Sequence, residues 1–254
     1  NHSNQLQSSF ARLSSGLRIV SAADDPAGLG ISERMRSEIR SLKMAQRNAQ
    51  DGVSLVQTAE GALSEVNSNL VRMRELAIES ANGTLNTADR TSLNAEFTEL
   101  VAEIDRIAVT TAFNGITLLD GLSPPIDIQT GADAGQVITV TLGGSTDGDL
   151  GIDVLDVTDV ANASAALGVI DIAVNTVVAL RGQLGASQNR MSSAMRSIAT
   201  SVENLAAAES RIRDVDVAQE TATLTRNQIL QQASASILAQ ANQQPQIALS
   251  LLQG

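Results

Sequence analysis

Cysteine, tryptophan and tyrosine are missing from this chain of 254 residues, which also has only three phenylalanines, one histidine and four prolines. Each absence excludes chemistry. Without cysteine there is no disulfide, no thiolate nucleophile and no thiolate zinc site, and His2 alone cannot supply the paired histidines of an H-E-x-x-H zinc site. Histidine acid–base catalysis has no candidate beyond that residue at the chain end. No catalytic residue, metal ligand or cofactor is therefore expected. With so few rings, any core must be built from Ala, Val, Ile and Leu, which is feasible because hydrophobic residues make up 43% of the chain.

Positive charge is also scarce. Seventeen Lys and Arg stand against 28 Asp and Glu, a formal net charge of −11, and such a surface repels phosphate backbones, so no nucleic-acid partner is expected. No run of roughly 18 uninterrupted apolar residues appears. The stretch 168–180 is interrupted by Asp171 and Asn175, so no membrane partner is expected either. Nor does a basic region followed by an apolar stretch open the sequence, and no cleavable secretory signal is visible.

What is present is helical periodicity. Pro26, Pro124, Pro125 and Pro245 each disfavour helix in the preceding residue, and between them lie two long segments without proline. Along residues 31–81, every seventh residue gives Leu42, Ala49, Val56, Leu63, Leu70 and Ala77. The series offset by three gives Ala45, Gly52, Ala59, Val66, Met73 and Ser80. Residues 165–214 repeat the pattern with Ile170, Val177, Leu184, Met191, Ile198, Leu205 and Ile212. These are coiled-coil seams. A helix of about 50 residues is roughly 75 Å long, whereas a compact ball of this chain length is only about 45–50 Å across, so the pattern predicts two long helices paired in a rod.

A third helix is predicted over about 88–109, after the cap residues Asn86-Thr87-Ala88-Asp89, with Leu93, Phe97, Leu100, Ile104 and Ile107 on one face. From Phe113 to about Val157 the period shortens to two, and Ile126-Asp127-Ile128-Gln129 followed by an apolar alternation from Val137 reads as a β-hairpin. The fold class is thus mainly α, a long antiparallel coiled-coil-like helical rod with a short β-hairpin segment at the far end. Residues 1–30 and 213–254 are assigned to a terminal helical domain, and 31–212 to a rod domain with its β-hairpin region at about 113–160.

The ends carry apolar stripes: Leu6, Phe10, Leu13 and Leu17 at one, and Ile229, Ala233, Ile237, Ala241, Leu249, Leu251 and Leu252 at the other. They are expected both to fold on one another and to meet further copies of the chain.

The sequence resembles the bacterial flagellins from end to end. The resemblance is carried by Leu13-Ser14-Ser15-Gly16-Leu17-Arg18-Ile19, Ala23-Asp24-Asp25-Pro26-Ala27-Gly28-Leu29, Asn48-Ala49-Gln50-Asp51-Gly52, Gln57-Thr58-Ala59-Glu60-Gly61-Ala62-Leu63 and Arg74-Glu75-Leu76-Ala77. It continues through Phe113-Asn114-Gly115, Glu209-Ser210-Arg211-Ile212-Arg213-Asp214, Ile237-Leu238-Ala239-Gln240-Ala241-Asn242-Gln243 and Leu249-Ser250-Leu251-Leu252. Relative to the family pattern, the sequence opens later than the usual Ile-Asn-Thr-Asn-like start and has no room for large outer domains, which implies a minimal flagellin.

The resemblance implies a structural, non-enzymatic subunit that polymerises with its own kind into an extracellular filament used for motility. It implies export through the flagellar type III apparatus without a cleaved signal, and partners that include the export chaperone, the filament cap and the hook-junction proteins. Leu6, Phe10, Leu13, Leu17, Ile229, Ala233, Ile237, Leu249, Leu251 and Leu252 are then the candidates for packing in the filament core. Arg72, Leu76 and Glu96 fall where the family meets a Toll-like receptor; Arg72 and Leu76 are i,i+4 neighbours, with Glu96 expected beside them. Alternatives are a hook–filament junction protein, which shares the terminal helices, and a secreted coiled-coil adhesin or effector.

Several other patterns carry less. Asp147, Asp149, Asp153, Asp156 and Asp159 do not match a calcium loop, because Gly151 occupies the fifth position; a solvated strand edge is expected there. Gly28-Leu29-Gly30 lacks the third glycine of a dinucleotide loop. Asn1, Asn82 and Asn162 open formal glycosylation sequons that are read as chance matches.

Overall fold

The computed structural model describes the backbone of residues 2–252 and the side chains of residues 4–241. Six helices and four short strands follow one another: α1 (His2–Ser15), α2 (Pro26–Ser80), α3 (Thr87–Thr110), β1 (Ala112–Phe113), β2 (Ile116–Thr117), β3 (Ile126–Gln129), β4 (Val137–Val140), α4 (Asp147–Leu150), α5 (Val160–Arg213) and α6 (Val217–Leu252). The chain divides into two compact units, Asn1–Arg40 with Ser201–Gly254, and Ser41–Thr200. Both divisions fall inside helices. The assignment of 1–30 and 213–254 puts its boundaries elsewhere, the first inside α2 and the second next to the helix break at residues 214–216.

The helices start where short polar side chains can hold their free N–H groups. Asp25 Oδ1 accepts from the backbone N–H of Ala27 at 3.0 Å and of Gly28 at 2.9 Å, with Pro26 at the first helical position, where a missing N–H costs nothing. Asn86 and Asp89 form a reciprocal capping box on α3. Asp159 accepts from Asn162 N at 2.7 Å, and Asp216 caps α6 through Ala218 and Gln219. Pro245 does not end α6, which runs on to Leu252; a proline removes only one intrahelical bond, here close to the helix end.

In the second unit α2 and α5 run antiparallel. Arg74 meets Asp171 at 2.8 Å and Arg181 meets Glu60 at 3.7 Å, while Gly52 faces Met191. Eleven of the twelve heptad positions of α2 are buried, Leu42 being half-buried. On α5 Ile170, Val177, Leu184, Met191 and Ile198 are buried, whereas Leu205 and Ile212, in the first unit, are half-buried. Helix α3 adds Phe97, Ile104 and Ala108 to this core. One window of α5 reaches a mean hydropathy of 1.9, enough by length and composition alone to cross a bilayer. Uninterrupted apolar runs miss it because the window tolerates the charge at Asp171. In the fold, only 28% of that window is buried: Ile170, Ala173 and Val177 face the core, while Ile172 and Val178 stay more than half exposed.

The predicted hairpin is β3–β4, with Ile126 opposite Val140 and Gln129 opposite Val137. Ile138 and Val140 point into the core and Thr139 out, its hydroxyl donating to Asp127 at 2.6 Å. The hairpin docks on α2 at Gly52, where a Cβ would lie 2.7 Å from Met191 Sδ and 3.1 Å from Ile128. Only a residue without a side chain lets helix and hairpin approach so closely. A second, smaller hairpin joins β1 and β2 through Asn114 (φ 50°) and Gly115 (φ 81°). Two positive φ angles in succession are the mirror-image turn that an Asn-Gly pair favours.

The acidic segment 147–159 is not a strand edge. Asp147 and Asp149 lie in the one-turn helix α4, where Asp149 closes a capping box with Thr146. Asp156 accepts from Thr158 and Asn162, and Asp159 caps α5. Asp149 and Asp159 end up satisfying helix starts because short acidic side chains reach nearby backbone N–H groups.

Candidate functional site

The first unit holds most of the assembly candidates. Helix α1 packs on α6, and the two connections beside them are joined to each other. Leu17 and Asp214 form an antiparallel bridge, with backbone bonds from Arg18 N to Arg213 O at 2.6 Å and from Val215 N to Gly16 O at 3.0 Å. The Arg18 guanidinium donates to the Ile212 carbonyl at the end of α5, placing a cation on the negative pole of that helix. Gly16 adopts φ 72° to leave α1, as the residue after a helix commonly does. Arg213 also reaches Glu33 of α2 at 2.7 Å. No periodicity announces this clasp; Gly16 and the Asp25-Pro26 start are its only local signals.

Asp24 organises the loop on the α1 side of the clasp. Its carboxylate accepts from Ser21 N at 3.0 Å, from Val20 N and Ser21 Oγ at 3.2 Å, and from Arg12 at 3.3 Å. The bond from the Ser21 backbone leads these interactions in holding its pKa below the ordinary aspartate range, against the opposing effect of burial. A cleft of about 400 Å³ nearby is lined by Arg12, Arg18, Arg211, Asp214 and Glu220 among others. Its mixed charges and small apolar share make it unlike a small-molecule pocket.

The apolar stripes separate into covered and uncovered parts. Leu6 is buried, and Leu13 and Leu17 are half-buried. Phe10 is 54% exposed, Ile229 61% and Ile237 66%, and Ala233 is exposed as well. Leu230 and Leu238, which the stripe reading did not include, are exposed beside them. The two ends do fold on one another, α1 against α6, but that contact hides only one face of each helix and leaves Phe10 and the α6 stripe exposed. Leu249, Leu251 and Leu252 lie outside the residues whose side chains are described.

In the second unit Arg72 donates to Glu96 at 2.8 Å and to Glu75 at 3.1 Å, so α2 and α3 are bridged on their exposed surface. The hydrogen bond to Glu96, followed by that to Glu75, raises the Arg72 pKa further above neutrality. Leu76 does not share this face. It is 0% exposed, because four residues advance a helix by slightly more than one turn and carry Leu76 into the core beside the heptad residue Ala77. Any surface made here consists of Arg72, Glu75 and Glu96 without Leu76.

At the other end of α3, Asp105 faces Asp147 of α4. Burial first, and then the charge and hydrogen bonding of Asp147, push the Asp105 pKa up. Among the described residues no group of three carboxylate or imidazole side chains is placed to hold a metal ion.

Comparison with known proteins bears on this geometry. Residues 1–123 match the family model described as the bacterial flagellin N-terminal helical region, and residues 167–252 match the C-terminal helical region. A flagellin of Halalkalibacterium halodurans is 51% identical over 254 aligned residues, covering 98% of this chain and 92% of the relative. The flagellin of Bacillus subtilis is 46% identical, covering 97% and 92%. The crystal structure of Bacillus cereus flagellin superposes with a TM-score of 0.56 at 34% identity, over 64% of this chain and 94% of that one. The two family matches take in α2 and all of α5 except residues 160–166, and leave between them the segment that holds both the β3–β4 hairpin and α4. This chain belongs to the bacterial flagellin family.

Proposed function

We propose that this chain is the structural subunit of a bacterial flagellar filament and that it works by self-association rather than by catalysis. The observation that carries the reading is the uncovered apolar surface of the first unit, Phe10 with Ile229, Leu230, Ile237 and Leu238, within a chain that matches flagellins at both ends. Large apolar side chains left uncovered in this way are the kind of surface that proteins bury against a partner. Copies joined by contacts that do not close on themselves build a helical polymer instead of a finite ring. The filament is extracellular, and the export chaperone, the flagellar type III apparatus, the cap and the hook-junction proteins are the partners this role requires.

Recognition of the free subunit by a Toll-like receptor is a second role. The exposed Arg72–Glu96 bridge supports it as a compact polar feature on the α2–α3 surface. Leu76 takes part only by packing beneath that surface. Arg72→Ala and Glu96→Ala should each reduce receptor signalling by the monomer, and unchanged signalling would remove the assignment.

Electron microscopy of the purified protein added to short filament seeds tests the main role. Seeds that lengthen with helical symmetry support it; a chain that leaves seed length unchanged and joins only a hook-side junction favours the junction-protein reading.

A further inference from the structure

The turn between α2 and α3 contains one of the two Asn-Gly pairs in the sequence, Asn82-Gly83; the other is Asn114-Gly115. Glycine after asparagine leaves the backbone nitrogen unshielded, so the side-chain amide carbon can be attacked by it. At residues 82 and 83 both are exposed, and a Cβ on Gly83 would meet nothing within 4 Å. Two hydrogen bonds make this turn chemically unlike an ordinary one. The backbone N–H of Thr84 donates to Asn82 Oδ1 at 3.1 Å, which folds the side chain back over the Gly83 peptide and places a donor on the oxygen that would gain negative charge. The Arg90 guanidinium donates to the Asn82 carbonyl at 2.9 Å, and that carbonyl belongs to the same peptide unit as the Gly83 N–H. A cation on the oxygen withdraws electrons from the unit and makes its nitrogen easier to deprotonate.

We propose that Asn82 is an intrinsic deamidation site, activated by Thr84 N–H and Arg90. The Gly83 nitrogen loses its proton to solvent base and bonds to Asn82 Cγ, while Thr84 N–H holds the oxyanion in the manner of an oxyanion hole. The Cγ–Nδ2 bond then breaks, the amide leaves as ammonia with a proton from solvent, and a five-membered succinimide remains. Water opens the ring at either carbonyl. Attack at Cγ gives aspartate with the backbone restored, and attack at the main-chain carbonyl gives isoaspartate, whose backbone runs through the side chain. No oxidant, reductant or enzyme is needed. Either product puts a carboxylate beside Arg90, which already donates to Asn82 O and to Ser80 O at 2.9 Å, and so adds a charge pair to the turn.

Asn114-Gly115 is the internal control. The positive φ angles at Asn114 and Gly115 and the Phe113–Ile116 pairing fix that turn in the β1–β2 hairpin. Among the described hydrogen bonds, none places a donor on the Asn114 side chain.

The test is peptide mapping by mass spectrometry, with enzymatic methylation to detect isoaspartate, on folded monomer aged at mildly alkaline pH. Asn82 should convert several-fold faster than Asn114 in the folded protein, and the two should converge in denaturant, where only local sequence acts. In Arg90→Gln, checked for native circular dichroism, conversion at Asn82 should slow roughly five- to tenfold, since only the part of the charge-assisted hydrogen bond that strengthens as the nitrogen loses its proton is felt in the rate. If Asn114 converts as fast as Asn82 in the folded protein, or if a folded Arg90→Gln chain converts at the original rate, the proposal is overturned. The wild-type comparison decides even if the variant fails to fold.

Discussion

Arg74 of α2 donates to Asp171 of α5 at 2.8 Å, and the residue just before it, Met73, is fully buried in the same helix pair. One position marks the register of the two helices on the surface, and the next fixes it in the core. Their substitutions should therefore differ sharply. Arg74→Ala should leave thermal melting almost unchanged, since the pair is solvent-exposed. Met73→Ala should cost about 2–5 kcal/mol, the usual loss for emptying a core site. Parallel denaturant titrations of the two variants check this.

Phe97 is the largest of the fully buried side chains and lies on α3. Phe97→Ala should cost about 3–5 kcal/mol and loosen α3 selectively. Hydrogen exchange should rise first along Thr87–Thr110, ahead of the α2–α5 pair.

The Asp105–Asp147 contact should give a pH dependence of unusual sign. Asp105 has a raised pKa in the folded state, through burial and the neighbouring carboxylate, so its ionised form opposes folding. That cost is fully present above the folded pKa and absent below the unfolded value of about 3.9. Asp105→Asn should stabilise the chain at neutral pH, by no more than about 1 kcal/mol for so solvent-screened a pair, and the gain should vanish in acid. Melting curves of both proteins across that range decide it.

Asp24 should behave in the opposite way. Its folded pKa is lowered, chiefly by the Ser21 backbone N–H, so its contribution is present above the unfolded value and is lost as pH falls through the folded one. Amide protection at Val20 and Ser21 should weaken in acid. Asp24→Asn should remove that pH dependence and cost about 1 kcal/mol at neutral pH. Amide exchange measured by NMR reads both effects.

Ile229 and Ile237 are more than half exposed on α6, so Ile229→Gln with Ile237→Gln removes little buried surface from the monomer. The double variant should keep its helical circular dichroism while extending filament seeds at least tenfold more slowly, since each apolar side chain buried on assembly contributes about 1.5–3 kcal/mol. Seed lengths counted by electron microscopy check the prediction.

The long helices, the third helix and the β3–β4 hairpin were legible because each rests on a period. Residues from Ala45 to Ser80 repeat every seven, and Val137 to Val140 alternates, with burial following both patterns. Leu76 was misplaced because i,i+4 spacing gives proximity along a helix without saying which way the shared stripe faces. The acidic run was misread for a related reason: Asp147, Asp149 and Asp159 act through backbone N–H groups, and hydrophobic patterning carries no record of that role. Glu96 beside Arg72 was expected from the family resemblance and not from any period, and the structure joins the two at 2.8 Å. The clasp at Leu17 and Asp214 joins residues about 200 positions apart through backbone atoms, which leave little trace in side-chain identity.

That clasp has a mechanical meaning. A terminal helix attached by one unpaired strand could spin about its bonds and store little torque. Here the segments entering α2 and leaving α5 are hydrogen-bonded edge to edge, forming a narrow ribbon in which twisting one strand drags the other. A subunit joined in this way resists independent rotation of either connection, so the two terminal helices turn together or not at all.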